Sequence, residues 1–430
     1  MAALALTGPA FALDVVKLKP ALAAEVTADW PHLFDLYKDI HSHPELGFQE
    51  TRTAARLAAE MRALGFTVTE GVGRTGIVAI YHNGPGPMVM VRTELDALPM
   101  KELTGLPYAS DAKQMYRGAE TYVAHSCGHD AHMAIWVGTA KALLSLKAKW
   151  SGTLMFIGQP AEEQVGGAKG MIDDGLFTRF GGRPTYAFAL HVGPAPAGEI
   201  FWKVGVISST DDDLDITFLG RGGHGSRPDV TIDPVLMAAR FIEDVQTVIS
   251  REKDPTAFGV VTIGGVVAGS AGNIIPADAV LTGTIRTYDD GVRLKILDGV
   301  RRTANGVAEM AGAPPPVVSL TLGDFAVVND ESLTLKTGRM LDEAFPDHSR
   351  QEFKPGTASE DFSEFVRAGA PATYFDLGAL DPAVIAADKA RGVPVPANHS
   401  PYFAPQPEPT IKTGVEAMTL VVMNVMGPGA

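Results

Sequence analysis

The sequence predicts a two-domain α/β protein, with a largely parallel α/β domain interrupted by a ferredoxin-like β-α-β-β-α-β insert. Three observations lead there. A chain of 430 residues exceeds the range over which one hydrophobic core keeps growing. Strand-like and helix-like patterns alternate between residues 76 and 192, the texture of an α/β layer. From about Asp211 the order changes to that of a split βαβ unit, and the first texture returns after Phe325.

Taken in order, helical spacing covers residues 31–41 and 51–64, and β-rich runs follow at 76–81 and 88–93. Helix returns at 129–147, strand at 152–157, helix at 167–176 and strand at 186–192. In the insert, residues 214–219 alternate as a strand and 234–250 carry a helical stripe. Strands at 258–267 and 279–287, a helix at 291–310 and a strand at 316–322 complete it. Residues 333–344, 372–377 and 409–425 then resume the helix-strand texture. The resulting division is 1–26 as an N-terminal arm or export-signal remnant, 27–208 as the first part of the larger α/β domain, 209–325 as the insert and 326–430 as the second part of the larger domain. A domain interrupted by an insert leaves a cleft at the junction, a common place for an active site.

Lys+Arg of 36 against Asp+Glu of 50 gives a net charge of −14, which argues against nucleic acid or an anionic membrane as the main partner. One cysteine excludes an intrachain disulfide and leaves the redox compartment open. No stretch is long and apolar enough to span a bilayer. Residues 1–12 are apolar and end in Ala10-Phe11-Ala12, an A-x-A-like cleavage pattern without a basic segment before it. That pattern favours a periplasmic or secreted location over a cytoplasmic one, the alternative being a short apolar arm.

The only cysteine stands in Cys127-Gly128-His129-Asp130. A lone cysteine ordinarily fills a core, but here a histidine follows two positions on, where an extended segment points both side chains the same way. Thiolate and imidazole suit zinc and its transition-metal neighbours. Further acidic and imidazole groups follow apolar strand-like runs: Asp96, the Glu162-Glu163 pair and His191, with His399 near the C-terminus. Singly, paired glutamates read as a solvated turn, Asp96 as a helix cap and each histidine as a hydrogen-bonded structural residue. Their recurrence at strand ends, where α/β sheets place ligands, favours a site.

These segments resemble the dinuclear metallohydrolases that include aminoacylases, hippurate hydrolases, indole-acetyl-amino-acid hydrolases and zinc carboxypeptidases, in the branch with a cysteine ligand. The resemblance runs from about Trp30 to Val425, through His41-Ser42-His43-Pro44-Glu45, Cys127-Gly128-His129-Asp130, Gln159-Pro160-Ala161-Glu162-Glu163, Gly222-Gly223-His224-Gly225, Asn273-Ile274-Ile275-Pro276 and Ser359-Glu360-Asp361-Phe362. It implies metal ligation by Cys127, His129, Glu163, His191 and His399, with Glu162 as general base and Asp96 orienting a ligand from behind. Five ligands are too many for one tetrahedral zinc; a bridging Cys127 divides them between two divalent ions, each with an open position. Zinc fits thiolate and imidazole, and manganese, cobalt or nickel are alternatives. Glu94 stands where this branch commonly has aspartate, and no role is assigned to it.

By the same resemblance His224 polarises the amide carbonyl oxygen, commonly in a neighbouring subunit's cleft, so the insert becomes a lid through which a homodimer forms. Asn273 and Arg286 match positions that contact substrate, and a guanidinium can clasp a carboxylate bidentately. His41, His43, His125 and His132 are left with structural or orienting roles. The implied activity is hydrolysis of N-acyl or N-aroyl amino acids to a carboxylic acid and an amino acid, by metal-activated water with a glutamate base. The alternatives are a dipeptidase or carboxypeptidase, and a non-catalytic binding protein on the same fold.

Overall fold

The computed structural model describes residues 14–427, so the Ala10-Phe11-Ala12 expectation lies outside the described residues. Two compact units divide the chain. The first lies within Met1–Gly205, Val328–Lys354 and Glu364–Ala430, the second is Val206–Val327 with Pro355–Ser363.

The first unit is built on an eight-stranded mixed sheet. Its order is Thr67–Val72, Gly76–Asn83, Gly152–Gln159, Met88–Glu94, Tyr186–Pro196, Ala372–Leu380, Ile200–Trp202 and Ser349–Gln351. The four central strands, from Gly152–Gln159 to Ala372–Leu380, run parallel. Antiparallel pairings lie toward the margins, between Thr67–Val72 and Gly76–Asn83, Gly76–Asn83 and Gly152–Gln159, and Ala372–Leu380 and Ile200–Trp202. Parallel strands need helical crossovers, and those helices cover the sheet. Helix His129–Ser145 packs between the Met88–Glu94 strand and helices Lys19–His41, Thr51–Ala63 and Pro407–Met426, and is buried on nearly every face.

Helix Lys19–His41 differs from its expected extent. The sequence pattern starts it at Pro31, because proline suits a first helical turn and breaks an interior one. The structure carries the helix through Pro31. Leu22, Val26, Leu33, Leu36, Tyr37 and Ile40 form one buried stripe on it, and that packing outweighs the lost backbone hydrogen bond.

The second unit holds a four-stranded antiparallel sheet in the order Gly259–Val267, Asp278–Thr287, Asp212–Leu219, Val317–Leu322. Helices Pro234–Asp244 and Asp290–Met310 cover it, capped by Asp233 and Asp289, each accepting a backbone N–H in the first turn. This is the ferredoxin-like order, with the first and third strands central. Strand Asp212–Leu219 alternates buried and exposed residues, and Leu214, Ile216 and Phe218 join Phe241, Ile296 and Val300 in a core of its own. Pro355–Ser363 closes onto this unit: Gly356 N–H donates to Ile207 O at 2.8 Å and Ser209 Oγ to Thr357 O at 2.8 Å.

Among the described residues no helix is long and apolar enough to cross a membrane.

Candidate metal centre and active site

Three parallel strands carry the acidic and imidazole groups to one end of the sheet. Met88–Glu94 runs into Asp96, Gly152–Gln159 into Glu162 and Glu163, and Tyr186–Pro196 contains His191. Glu94 stands opposite Gln159 in the ladder, so the first two strands run out together. Gly128 separates Cys127 from His129 at the start of helix His129–Ser145, with φ 95°. A Cβ there would meet Val192 Cγ2 at 2.3 Å, so glycine is required both by the backbone and by the approach to the His191 strand. His399 also sits in the left-handed region, at φ 66°, held by its N–H donating to Ser126 O at 2.8 Å. A residue with a Cβ is strained there, and such strain collects at functional sites.

Five side chains meet at this end. Donor atoms of Cys127, His129 and Glu163 all lie within 4.8 Å of one another. His191 Nε2 is 3.4 Å from Cys127 Sγ, and His399 Nε2 is 3.3 Å from Glu163 Oε1. Imidazole orientation is set from behind: His129 Nδ1 donates to Asp96 O at 2.8 Å and His191 Nδ1 to Val192 O at 2.7 Å, which leaves each Nε2 as a possible metal donor. Asp96 therefore steadies His129 with its backbone carbonyl, while its Oδ2 accepts the Glu163 N–H at 2.9 Å. Glu162 Oε2 lies 3.9 Å from His129 Nε2.

The donor set fits divalent cations. His129 Nε2 is buried without a hydrogen-bond partner among the described residues, a costly state that a bound ion would relieve. Electrostatics point the same way. Burial would depress His129, but Glu94, Asp96 and Glu163 outweigh it and raise its pKa to about 10. Burial, followed by Glu163 and Glu162, pushes the Cys127 thiol well above its ordinary range. Burial opposes ionisation of Glu163, yet His399 and His129 hold its carboxyl below the usual range. A cluster this rich in carboxylate gathers protons, and a dication could take their place.

Glu94 and His132 also lie within reach of His129 and His191. Protein partners already occupy them. Glu94 Oε2 accepts from His132 Nδ1 at 2.9 Å, His132 Nε2 accepts the Val192 N–H at 2.9 Å, and Arg92 bonds the other oxygen of Glu94. Burial works against an ionised Glu94, but Arg92 and His132 keep its carboxyl well below the usual range. Sequence pattern alone assigns Glu94 nothing; its spacing of two from Arg92 on one strand was the available signal.

The remaining histidines have local duties. His41 is buried between Asp130 Oδ2 at 2.6 Å and Glu102 Oε1 at 3.0 Å. His43 is exposed and bonds Asp39 O at 2.7 Å. Burial lowers His125 to about 3, so it is neutral.

His224, Asn273 and Arg286 belong to the second unit. His224 pairs with Ile274 in a short antiparallel ladder, and Asn273 O accepts the Gly225 N–H at 2.8 Å, so these two loops are brought together. His224 Nδ1 accepts the Ser226 N–H at 3.1 Å, which places the ring proton on Nε2. Arg286 lies on strand Asp278–Thr287, its Nη2 3.0 Å from Asp211 Oδ1.

The profile of peptidase family M20/M25/M40 matches residues 90–424. The chain belongs to this family. Thermostable carboxypeptidase 1 of Saccharolobus solfataricus is 34% identical over 401 residues, 92% of this chain and 95% of the relative. Hippurate hydrolase of Campylobacter jejuni is 35% identical over 329 residues, 76% of this chain and 82% of the relative. The crystal structure of Bacillus subtilis YxeP, a dinuclear metal-binding M20 peptidase, superposes with a TM-score of 0.72 at 25% identity, covering 95% of this chain and all (100%) of that one. As an M20 member the protein is a metal-dependent amidohydrolase.

Proposed function

We propose that this M20 enzyme hydrolyses N-acyl or N-aroyl amino acids to a carboxylic acid and a free amino acid. The observation that carries the reading is Glu162, a carboxylate 3.9 Å from His129 Nε2 and adjacent in the chain to Glu163, beside a group of metal-type donors. Binding alone needs no such base.

Cys127, His129, Glu163, His191 and His399 would hold two divalent ions with the thiolate shared; zinc suits them, and manganese, cobalt or nickel are alternatives. Ions bound there supply Lewis acidity toward the scissile carbonyl and acidify the attacking water. Glu162 takes the water's proton as the C–O bond forms and returns it to the leaving nitrogen as the C–N bond breaks. Asp96, through the Glu163 N–H, holds the loop that carries Glu162. His224 offers its Nε2–H to the developing oxyanion, a contact worth roughly 3–4 kcal/mol. Asn273 contacts the substrate, and Arg286 binds the free α-carboxylate of the amino-acid part.

The enzyme acts as a homodimer formed through residues 209–325. Exposed Val260, Val266 and Val267 on the edge strand Gly259–Val267 support this, because an uncovered apolar edge invites pairing. Light scattering behind size exclusion tests it.

A second reading, cleavage of dipeptides or a C-terminal residue, is favoured by the likeness to a thermostable carboxypeptidase. Amino-acid release from N-acetyl, N-benzoyl and long-chain N-acyl amino acids, and from dipeptides, separates the two. Release that stops with chelator and recovers with metal supports hydrolysis, and dipeptides outrunning every acyl amino acid would favour the second reading. Glu162→Gln should keep its metal and lose turnover by about 10²–10⁴-fold; full activity would sink the assignment of the base.

A further inference from the structure

Cys127, His191 and His399 come from three separate segments, and ligand geometry depends on holding those segments in register. We infer that Asn398 is a positioning residue that locks them into one frame, its side-chain amide cross-linking the backbones at Cys127 and Val192 while its own peptide leads into His399. This rests on the metal-ligand assignment proposed above.

The geometry is specific. Asn398 Nδ2 donates to Cys127 O at 2.8 Å and to Val192 O at 3.0 Å, so both of its N–H groups are committed. The same nitrogen is 3.9 Å from Cys127 Sγ. Val192 O is also the acceptor of His191 Nδ1, at 2.7 Å. Asn398 therefore steadies the carbonyl that sets which nitrogen of His191 faces an ion. The other side of that residue's backbone is held too: Val192 N–H donates to His132 Nε2 at 2.9 Å, and His132 Nδ1 is tied to Glu94 at 2.9 Å. The next residue, His399, adds its own N–H to Ser126 O at 2.8 Å.

A primary amide on a one-carbon stem suits this junction. Aspartate offers no donor when ionised, serine offers one, and leucine fills similar space with none. Supporting groups of this kind typically change metal affinity by 10–100-fold when removed. Both amide hydrogens of Asn398 are spent on backbone carbonyls beside the ligands, so its effect passes through those ligands.

The test compares the full chain with Asn398→Leu and Asn398→Ser, each first confirmed folded by circular dichroism. Cobalt(II) is the probe, read by chelator competition and by thiolate-to-cobalt charge-transfer absorption. The expected result is weaker binding by about 10–100-fold in Asn398→Leu, a smaller loss in Asn398→Ser, and an altered charge-transfer band in both. A packing role would leave the band and the affinity of the folded variants unchanged, and that result overturns the inference. If Asn398→Leu does not fold, Asn398→Ser alone decides by the same two readings. A wild-type chain that binds cobalt and hydrolyses amides, beside variants that match it, removes the clamp and leaves the proposed function standing. A wild-type chain that binds no metal overturns both.

Discussion

Glu50 and Ala161 are joined across the first unit: the Ala161 N–H donates to Glu50 Oε1 at 2.7 Å. Ala161 has φ 47°, an uncommon conformation for a residue with a side chain, and it opens the loop that carries Glu162 and Glu163. Glu50 is fully buried, and its second oxygen accepts the Thr75 hydroxyl. One carboxylate thus holds the strained entry to the loop that carries Glu162, while Asp96 holds Glu163 two residues on.

Burial, reinforced by Asp96, raises Glu50 from 4.5 to about 7. A carboxyl raised on folding contributes no penalty below its unfolded pKa, and stability falls as pH climbs from about 4.5 through about 7. The full span corresponds to roughly 3 kcal/mol. Glu50→Gln keeps an acceptor for Ala161 and removes the titration. The metal-free variant should gain melting temperature on wild type progressively between pH 5 and about 7.5. Parallel pH curves for the two proteins would refute the role.

His41 shows the opposite linkage. Burial would lower it, but Asp130 and Glu102 overcome that and raise it to about 10. Its stabilisation is complete below its unfolded pKa of 6.5 and is lost as pH rises through about 10. His41→Ala leaves two carboxylates without their cation and should cost about 3–5 kcal/mol near neutrality. Denaturant unfolding at pH 6.5 and again above pH 9 reads both features. A gap between wild type and variant that does not narrow at high pH would exclude a charged His41.

The sequence exposes most of the candidate centre because its members sit in short local patterns. Cys127 and His129 are two residues apart, Glu162 and Glu163 adjacent, and each strand-end group follows an apolar run. What stays hidden depends on tertiary neighbours. Strand Thr67–Val72 is missed because its burial pattern is almost wholly exposed or intermediate, leaving no apolar period to read. Glu94 gains its role only when Arg92, His132 and the Val192 N–H converge on one chain of bonds. Asn398 is visible beside His399, yet the two carbonyls that occupy it come from segments no spacing links.

Arg286 offers a specificity test. Its guanidinium is partly engaged by Asp211 at 3.0 Å, which leaves further N–H groups for a second carboxylate. Arg286→Ala should raise KM for N-acyl amino acids well above the rise for the matching amides, with kcat little changed. Steady-state kinetics on each acid and amide pair measure the difference. Equal losses on both would show that Arg286 does not read the carboxylate.

Metal binding should itself release protons. Without metal, His129 holds a proton up to about 10 and the Cys127 thiol stays protonated well above its ordinary range. His191, lowered to about 3 by burial and by His132, is already neutral near pH 7 and releases none. Ligation needs the thiolate and the neutral imidazole, so an ion must displace protons from Cys127 and His129. Two displaced protons make apparent affinity rise by roughly a hundredfold per pH unit between pH 6 and 8. Calorimetric titration with zinc in buffers of differing ionisation enthalpy counts those protons directly. Cys127→Ser should lower the count by about one and flatten the pH dependence, because an ordinary serine hydroxyl has no proton to give up in this range. Binding that is as tight at pH 6 as at pH 8, with no proton released, would mean that Cys127 and His129 are not ligands.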